Sequence, residues 1–302
     1  MKRFEIVPNF SEGRRPEVLD ALAHCFSDQR GVVLLDREAD PDHNRCVLTA
    51  VGSADDLIEA TLAACRYAME QIDLNHHVGE HPRIGAMDVL PFLPLDDATM
   101  EDAVEAAHRL GERLWQELKV PVYYYEDASI GGKKSLPAIR KGNYEGLKEI
   151  VRTDPSRRPD VGGPELHPTF GASVIGARKP LVAFNVYLRT LDMEIAKRIA
   201  RAIRESSGGL RNVRALAIDT TSQGTVQVSM NLVDVQETPI YRAYEFVAHE
   251  ASHYGVGVSH AEIVGLVPLS AMLAVAERSL TLEGFHPEQV LEVRLMEEAG
   301  GR

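Results

Sequence analysis

An α/β (α+β) chain of two ferredoxin-like βαββαβ-type subdomains, with a ligand cleft between them, is the predicted fold. Three observations predict it: the order of strand-like and helix-like patterns in the first half, the return of that order in the second, and a Pro/Gly-rich break between them. Phe4 to Val7 reads as a short strand and leads into a loop with Ser11 and Gly13. From Pro16, suited to a first helical turn, Val18, Leu19, Leu22 and Phe26 recur at helical spacing. Gly31 ends that segment, Val32 to Leu35 reads as a buried strand, and Asn44 to Val51 as another with partial alternation. Ser53-Ala54-Asp55-Asp56 resembles a capping box and opens a helix through Leu57, Ala60, Ala64 and Ala68. Beyond a His-rich loop at 76–83, Met87 to Leu93 is a strand that Pro91 is expected to break. Thr99 caps a helix through Val104, Ala107, Leu110 and Leu114, and Val122 to Tyr125 is the next strand.

Between Thr153 and Gly171 the chain changes character, with Pro155, Pro159, Pro164 and Pro168 among Gly162, Gly163 and Gly171. A long irregular segment of this kind in a compact protein is expected to be functional or disordered. The second half repeats the element order. Leu181 to Leu188 is a strand, and Asp192 to Glu205 a helix with Ile195, Ile199 and Ile203 in its stripe. Val213 to Ile218 and Thr225 to Val233 are strands and Tyr241 to Tyr254 a helix; Ala261 to Val267 and Pro268 to Leu280 close the series as strand and helix. The predicted subdomains are 1–178 and 179–302.

Composition narrows the class. No apolar run approaches the roughly 18 residues that cross a bilayer, and the N-terminus lacks a signal-peptide core, so a cytoplasmic protein without membrane contact is expected. The three cysteines, Cys25, Cys46 and Cys65, have no metal-type spacing and are read as inert thiols. A net charge of −12 opposes nucleic-acid binding but leaves room for a local cluster of cations around an anionic small molecule.

The densest polar stretch is Asn75-His76-His77-Val78-Gly79-Glu80-His81-Pro82-Arg83. His81 stands out because Pro82 holds its backbone extended while Glu80 and Arg83 flank it with opposite charges. An imidazole fixed in this way can exchange a proton near neutral pH. A second basic stretch, Gly131-Gly132-Lys133-Lys134-Ser135, runs on to Arg140 and Lys141, and reads either as a solvated face or as an anion-binding loop.

The segments Val7-Pro8-Asn9-Phe10-Ser11-Glu12-Gly13 and Gly79-Glu80-His81-Pro82-Arg83-Ile84-Gly85-Ala86 resemble signatures of the glutamate formiminotransferases. That activity also forms the N-terminal half of the bifunctional formiminotransferase-cyclodeaminases. Val120 to Tyr123, Leu136 to Arg140, Gly176 to Lys179, Ala183 to Asn185 and Ile263 to Leu269 extend the resemblance over nearly the whole chain. It implies transfer of a formimino group from N-formimino-L-glutamate to N5 of tetrahydrofolate, a step of histidine breakdown, by a homodimer. Tetrahydrofolate would be a co-substrate, and no metal is implied. The family's catalytic histidine falls on His81. Its folate-contacting loop falls on Gly162, Gly163, Pro164, Glu165, Leu166, His167, Pro168, Thr169, Phe170 and Gly171. Two departures are visible: the bifunctional members carry Trp where Phe170 stands, and Glu38 replaces an Asp.

Attack of N5 on the amidine carbon gives a tetrahedral intermediate, and the glutamate amine leaves readily only when protonated, so one acid/base group is required. Glu38, Asp40 and Glu80 are candidates to stabilise a cationic formimino group. Arg45, Arg83, Lys133, Lys134, Arg178 and Lys179 are candidates to hold substrate carboxylates. Two alternatives stay open at this point. Formyl transfer from 5-formyl-tetrahydrofolate to glutamate would use the same histidine. His249-Glu250-Ala251-Ser252-His253 is a literal H-E-x-x-H zinc-hydrolase pattern, although Val256 and Ser259 stand where a metzincin needs Gly and His.

Overall fold

The computed structural model describes residues 2–300, with side chains to residue 296. These residues form two compact units divided between Arg178 and Lys179.

The first unit runs β1 (Arg3–Ile6), β2 (Asn9–Phe10), α1 (Pro16–Ser27), β3 (Val32–Asp40), β4 (Arg45–Gly52), α2 (Ala54–Gln71), β5 (Met87–Leu95), α3 (Met100–Leu118), β6 (Val122–Glu126), α4 (Leu136–Ile139), α5 (Asn143–Ile150) and β7 (Ser173–Ala177). β1 and β2 both pair antiparallel with β4 and β5, so they act as one strand interrupted at Val7-Pro8. With β3 outside β4, the order β3–β4–β1/β2–β5 is the ferredoxin-like arrangement. β7 and β6 then extend it in parallel beyond β5. Pro91 does not break β5. It lies between the stretch paired to β1 and the stretch paired to β2, opposite the Val7-Pro8 interruption, where its missing N–H leaves no ladder bond unmade.

Strand alternation divides the side chains between the two faces. Phe4, Ile6, Phe10, Cys46, Leu48 and Ala50 pack against Leu22 and Phe26 of α1, Leu57 and Ile58 of α2 and Leu110 and Leu114 of α3. Each buried Leu, Ile or Phe among them contributes about 1.5–3 kcal/mol by leaving water. Both expected caps form. Ser53 Oγ accepts from the Asp56 amide at 3.2 Å, and Thr99 and Asp102 close a full capping box at the start of α3. On the opposite face Val89, Val174, Tyr123 and Tyr125 meet Ile139, Leu147 and Val151, so α4 and α5 cover only the β5–β7–β6 end.

The second unit runs β8 (Val182–Leu188), α6 (Met193–Ile203), β9 (Val213–Thr220), β10 (Thr225–Leu232), α7 (Ile240–His253), β11 (Val258–Val264), α8 (Leu269–Leu280) and α9 (Leu291–Gly300). Its antiparallel sheet has the order β11–β8–β10–β9, again ferredoxin-like. Ala196, Ile199, Ala200 and Ile203 of α6 and Ala243, Val247 and Ala251 of α7 form its core with alternate residues of the strands. Among the described residues no helix is long and apolar enough to cross a membrane.

Candidate active site

His81 sits half-buried in a narrow pocket of the first unit. Asn9, Phe10 and Ser11 from β2 and its end, His43, Asn44 and Arg45 from the β3–β4 turn, His77 and Arg83 from the loop after α2, and Asp88 of β5 share it. The loop after α2 is held down by small residues and backbone bonds. A side chain at Gly79 would collide with the His43 carbonyl, and one at Gly171 (φ 79°) with the Ile84 carbonyl. Ser11 donates from Oγ to the Gly85 carbonyl at 2.8 Å, and its amide donates to Ala86. The Ile84 amide donates to Asp88 Oδ1 at 2.7 Å. Asn44, at φ 47°, accepts from the Gly13 amide and donates to the Val78 carbonyl, joining three chain segments.

The two neighbouring histidines differ in wiring. Arg83 Nε donates to His77 Nδ1 at 2.9 Å, so His77 Nε2 carries the proton and donates to the Asn44 carbonyl at 3.0 Å. Burial holds His77 below the usual imidazole range and keeps it neutral. Arg83 spends its remaining nitrogens on the His77 carbonyl and on both Glu145 carboxylate oxygens. His77 and Arg83 thus brace the loop.

Among the described residues His81 has one side-chain hydrogen-bond partner. Arg45 Nη1 donates to its Nε2 at 2.5 Å, which makes Nε2 the acceptor and places the proton on Nδ1. The His43 ring meets it edge-on with centroids 5.9 Å apart. Burial first, then the charges of Arg45 and Arg140, push His81 down to about 3. Arg140, at the end of α4, is paired with Asp88, and both side chains are nearly enclosed. The Nε atoms of Arg45 and Arg140 are buried without a hydrogen-bond partner. A substrate carboxylate is the chemical species such donors fit. The neighbouring thiol, Cys46, is pushed up to about 12 by burial and offers no nucleophile near neutral pH.

The other sequence candidates spread more widely. Glu38 and Asp40 lie on β3 opposite Val47 and Arg45 in register, which puts them on the Arg45 face of the sheet. Asp40 is exposed and accepts from the Asp42 and His43 amides. Glu80 points to solvent. Lys133 pairs with Asp127 at 3.0 Å, Lys134 with Asp160 at 2.5 Å, and Lys179, in the second unit, with Asp234 at 2.7 Å. Arg178 follows β7, and its charge acts on Glu5 and Tyr125.

In the loop at 162–171, Gly162, Pro164, Glu165 and Pro168 are exposed. His167 Nδ1 accepts from the Phe170 amide at 3.0 Å. The Phe170 ring is fully buried in the helix-side core, so it anchors the loop and has no free face. The sequence reading passed over Asp88, Asn44 and His43. Asp88 had a signal, a lone acid inside an apolar strand, whereas Asn44 and His43 are marked only by the turn they occupy.

Size alone selects a different place. A larger cavity of about 550 Å³ in the second unit is walled by Phe184, Ile240, Ile263, Met272 and Val275, with Glu245 and Glu262 at its margin. No histidine is among its lining residues, and Glu262 there accepts from Tyr187 Oη at 2.9 Å. His249 and His253 of the H-E-x-x-H segment stand exposed on α7 with rings 4.6 Å apart. Among the described residues no group of three or more His, Cys, Asp or Glu is placed to hold a metal.

Comparison with known proteins agrees over both units. The family model described as the formiminotransferase domain, N-terminal subdomain, matches residues 3–178, and that of the formiminotransferase domain matches residues 183–292. A glutamate formimidoyltransferase of Thermoplasma acidophilum is 46% identical over 302 residues, covering 99% of each chain. One of Streptococcus pyogenes serotype M1 is 41% identical, covering 98% of this chain and 99% of its own. The formimidoyltransferase-cyclodeaminase of Sus scrofa is 43% identical over 90% of this chain, which spans only 51% of that longer protein. The chain belongs to the formiminotransferase family.

Proposed function

We propose that the protein transfers the formimino group of N-formimino-L-glutamate to N5 of tetrahydrofolate, releasing L-glutamate, with His81 as general acid/base. The observation that carries the proposal is the His81 environment: a neutral imidazole set in a narrow pocket beside two buried guanidinium N–H groups that want an anion. Near full-length similarity to two glutamate formimidoyltransferases supports the choice of reaction.

His81 accepts the proton lost by N5 as the new C–N bond forms. It returns one to the glutamate nitrogen as the old C–N bond breaks. Protons balance, and the imidazole ends as it began. Such positioned proton transfer contributes about 10²–10⁴-fold, and holding both substrates together at least as much. Arg45 is the cation hydrogen-bonded to His81, while Glu38 and Asp40 on the same sheet face are suited to balance a cationic formimino group. The partly exposed stretch Gly162 to Thr169 is assigned to folate, with Phe170 as its buried anchor. A cytoplasmic homodimer built from subdomains 1–178 and 179–302 belongs to the same reading, on the family resemblance, and sedimentation of the pure protein tests the dimer.

The reaction is tested by mixing enzyme, tetrahydrofolate and N-formimino-L-glutamate and reading the methenyl chromophore after an acid quench. Turnover is expected. Absence of turnover, with formyl exchange between 5-formyl-tetrahydrofolate and glutamate instead, would replace formimino with formyl transfer.

A further inference from the structure

Two half-buried arginines with buried Nε atoms, Arg45 and Arg140, bear on His81. Arg140 is paired with Asp88, and Arg83 on the far side is already balanced by Glu145. Among the described residues no carboxylate is hydrogen-bonded to Arg45, whose Nη1 donates to the neutral His81 ring. Arg45 and Arg140 are close enough that each cation bears on His81, and that Arg140 bears on Arg45. Each keeps a buried Nε–H without an acceptor. The charges of Asp88 and Asp40 act on Arg45 without a hydrogen bond to it, so two orphaned donors remain, and a carboxylate, with two acceptor oxygens, answers them.

The Arg45 N–H occupies the Nε2 lone pair, the one site on a Nδ1-protonated imidazole that can accept a proton. In this arrangement His81 is blocked as a base.

We propose that Arg45 and Arg140 together bind a carboxylate of the glutamate-bearing donor, and that this binding draws Arg45 away from His81 and opens its Nε2 for proton transfer. Arg140 is then a specificity-determining residue, and Arg45 both binds substrate and gates the base. The inference rests on the formiminotransferase reading and adds an order of events to it: donor capture precedes activation of the base. The groups facing His81 are Arg45 and His43 from the β3–β4 side and Arg140 from the end of α4. Asp88, His77 and Arg83 line the same pocket.

The test uses the full chain labelled with ¹⁵N-histidine, with His81→Asn identifying the resonance and L-glutamate as the probe. The free ring is expected to stay neutral down to about pH 5 and, with saturating L-glutamate, to titrate within the ordinary imidazole range. Arg140→Lys, which keeps a cation for Asp88 but loses the second donor, should abolish that change. It should also raise KM for N-formimino-L-glutamate about 10- to 100-fold, the loss of one charge-assisted hydrogen bond, with KM for tetrahydrofolate unchanged. Glutamate bound by calorimetry without any effect on His81 would overturn the gate. A KM rise confined to tetrahydrofolate would place the folate tail's carboxylate there and overturn the assignment to the donor. If wild-type enzyme transfers no formimino group yet glutamate still releases His81, the carboxylate site stands and the reaction assignment falls.

Discussion

His76, His77 and His81 lie within six residues and have three different fates. His76 projects into solvent, with a side chain 86% exposed. His77 is clamped between the Arg83 guanidinium and the Asn44 carbonyl, and His81 faces Arg45 in the pocket. The sequence pointed at His81 through Pro82, but nothing local distinguished His77 from His76. Their difference depends on Arg83 folding back onto the loop and on a turn 33 residues upstream. Arg83, a candidate for holding a substrate carboxylate, donates to His77 and Glu145 and so braces the loop. Arg83→Met should therefore cost about 1–3 kcal/mol of stability, because it leaves His77 and Glu145 partners unmet, and a lowered denaturant midpoint checks this. His81 also links folding to pH. Its folded pKa lies below the unfolded value, so its contribution is complete above about pH 6.5 and is lost as pH falls toward about 3. The stability difference between wild type and His81→Asn should narrow on going from pH 7 to pH 5, by at most about 1 kcal/mol per pH unit.

At the scale of elements, helices and antiparallel strands were legible because 3.6- and 2-residue periods dominate them. β7 was missed: Ser173–Ala177 is five residues, all buried, with no alternation to read, as befits a strand enclosed on both faces. α4 and α5 escaped because four and eight residues are too few for a period. Both carry site residues, Arg140 and Glu145, so the site was less visible than the sheet beneath it. The loop after α2 depends on Gly79, whose hydrogen faces the His43 carbonyl. Gly79→Ala should push His81 off its position and lower kcat/KM about 10²-fold, the usual effect of a misplacement near 1 Å. Its far-UV circular dichroism should match the wild type.

At the scale of the molecule, each unit owns a core. Among the described residues, the charged groups that act on His81 (Arg45, Arg140 and His43) lie before residue 179. A fragment of residues 1–178 should fold with a single cooperative transition and keep the His81 ring neutral at pH 5, as histidine NMR would show. The net charge of −12 excluded broad classes of partner, but gave no sign of the local excess of arginine around His81. That excess is assembled by β4 and the end of α4, which lie 95 positions apart at Arg45 and Arg140. The central claim is that His81 moves the proton in formimino transfer, and the direct measurement is single-turnover kinetics of His81→Asn with tetrahydrofolate and N-formimino-L-glutamate. Loss of the chemical step by at least about 10²-fold, with tetrahydrofolate affinity retained, is the predicted result. An unchanged rate in that variant would contradict the account and remove His81 from the mechanism.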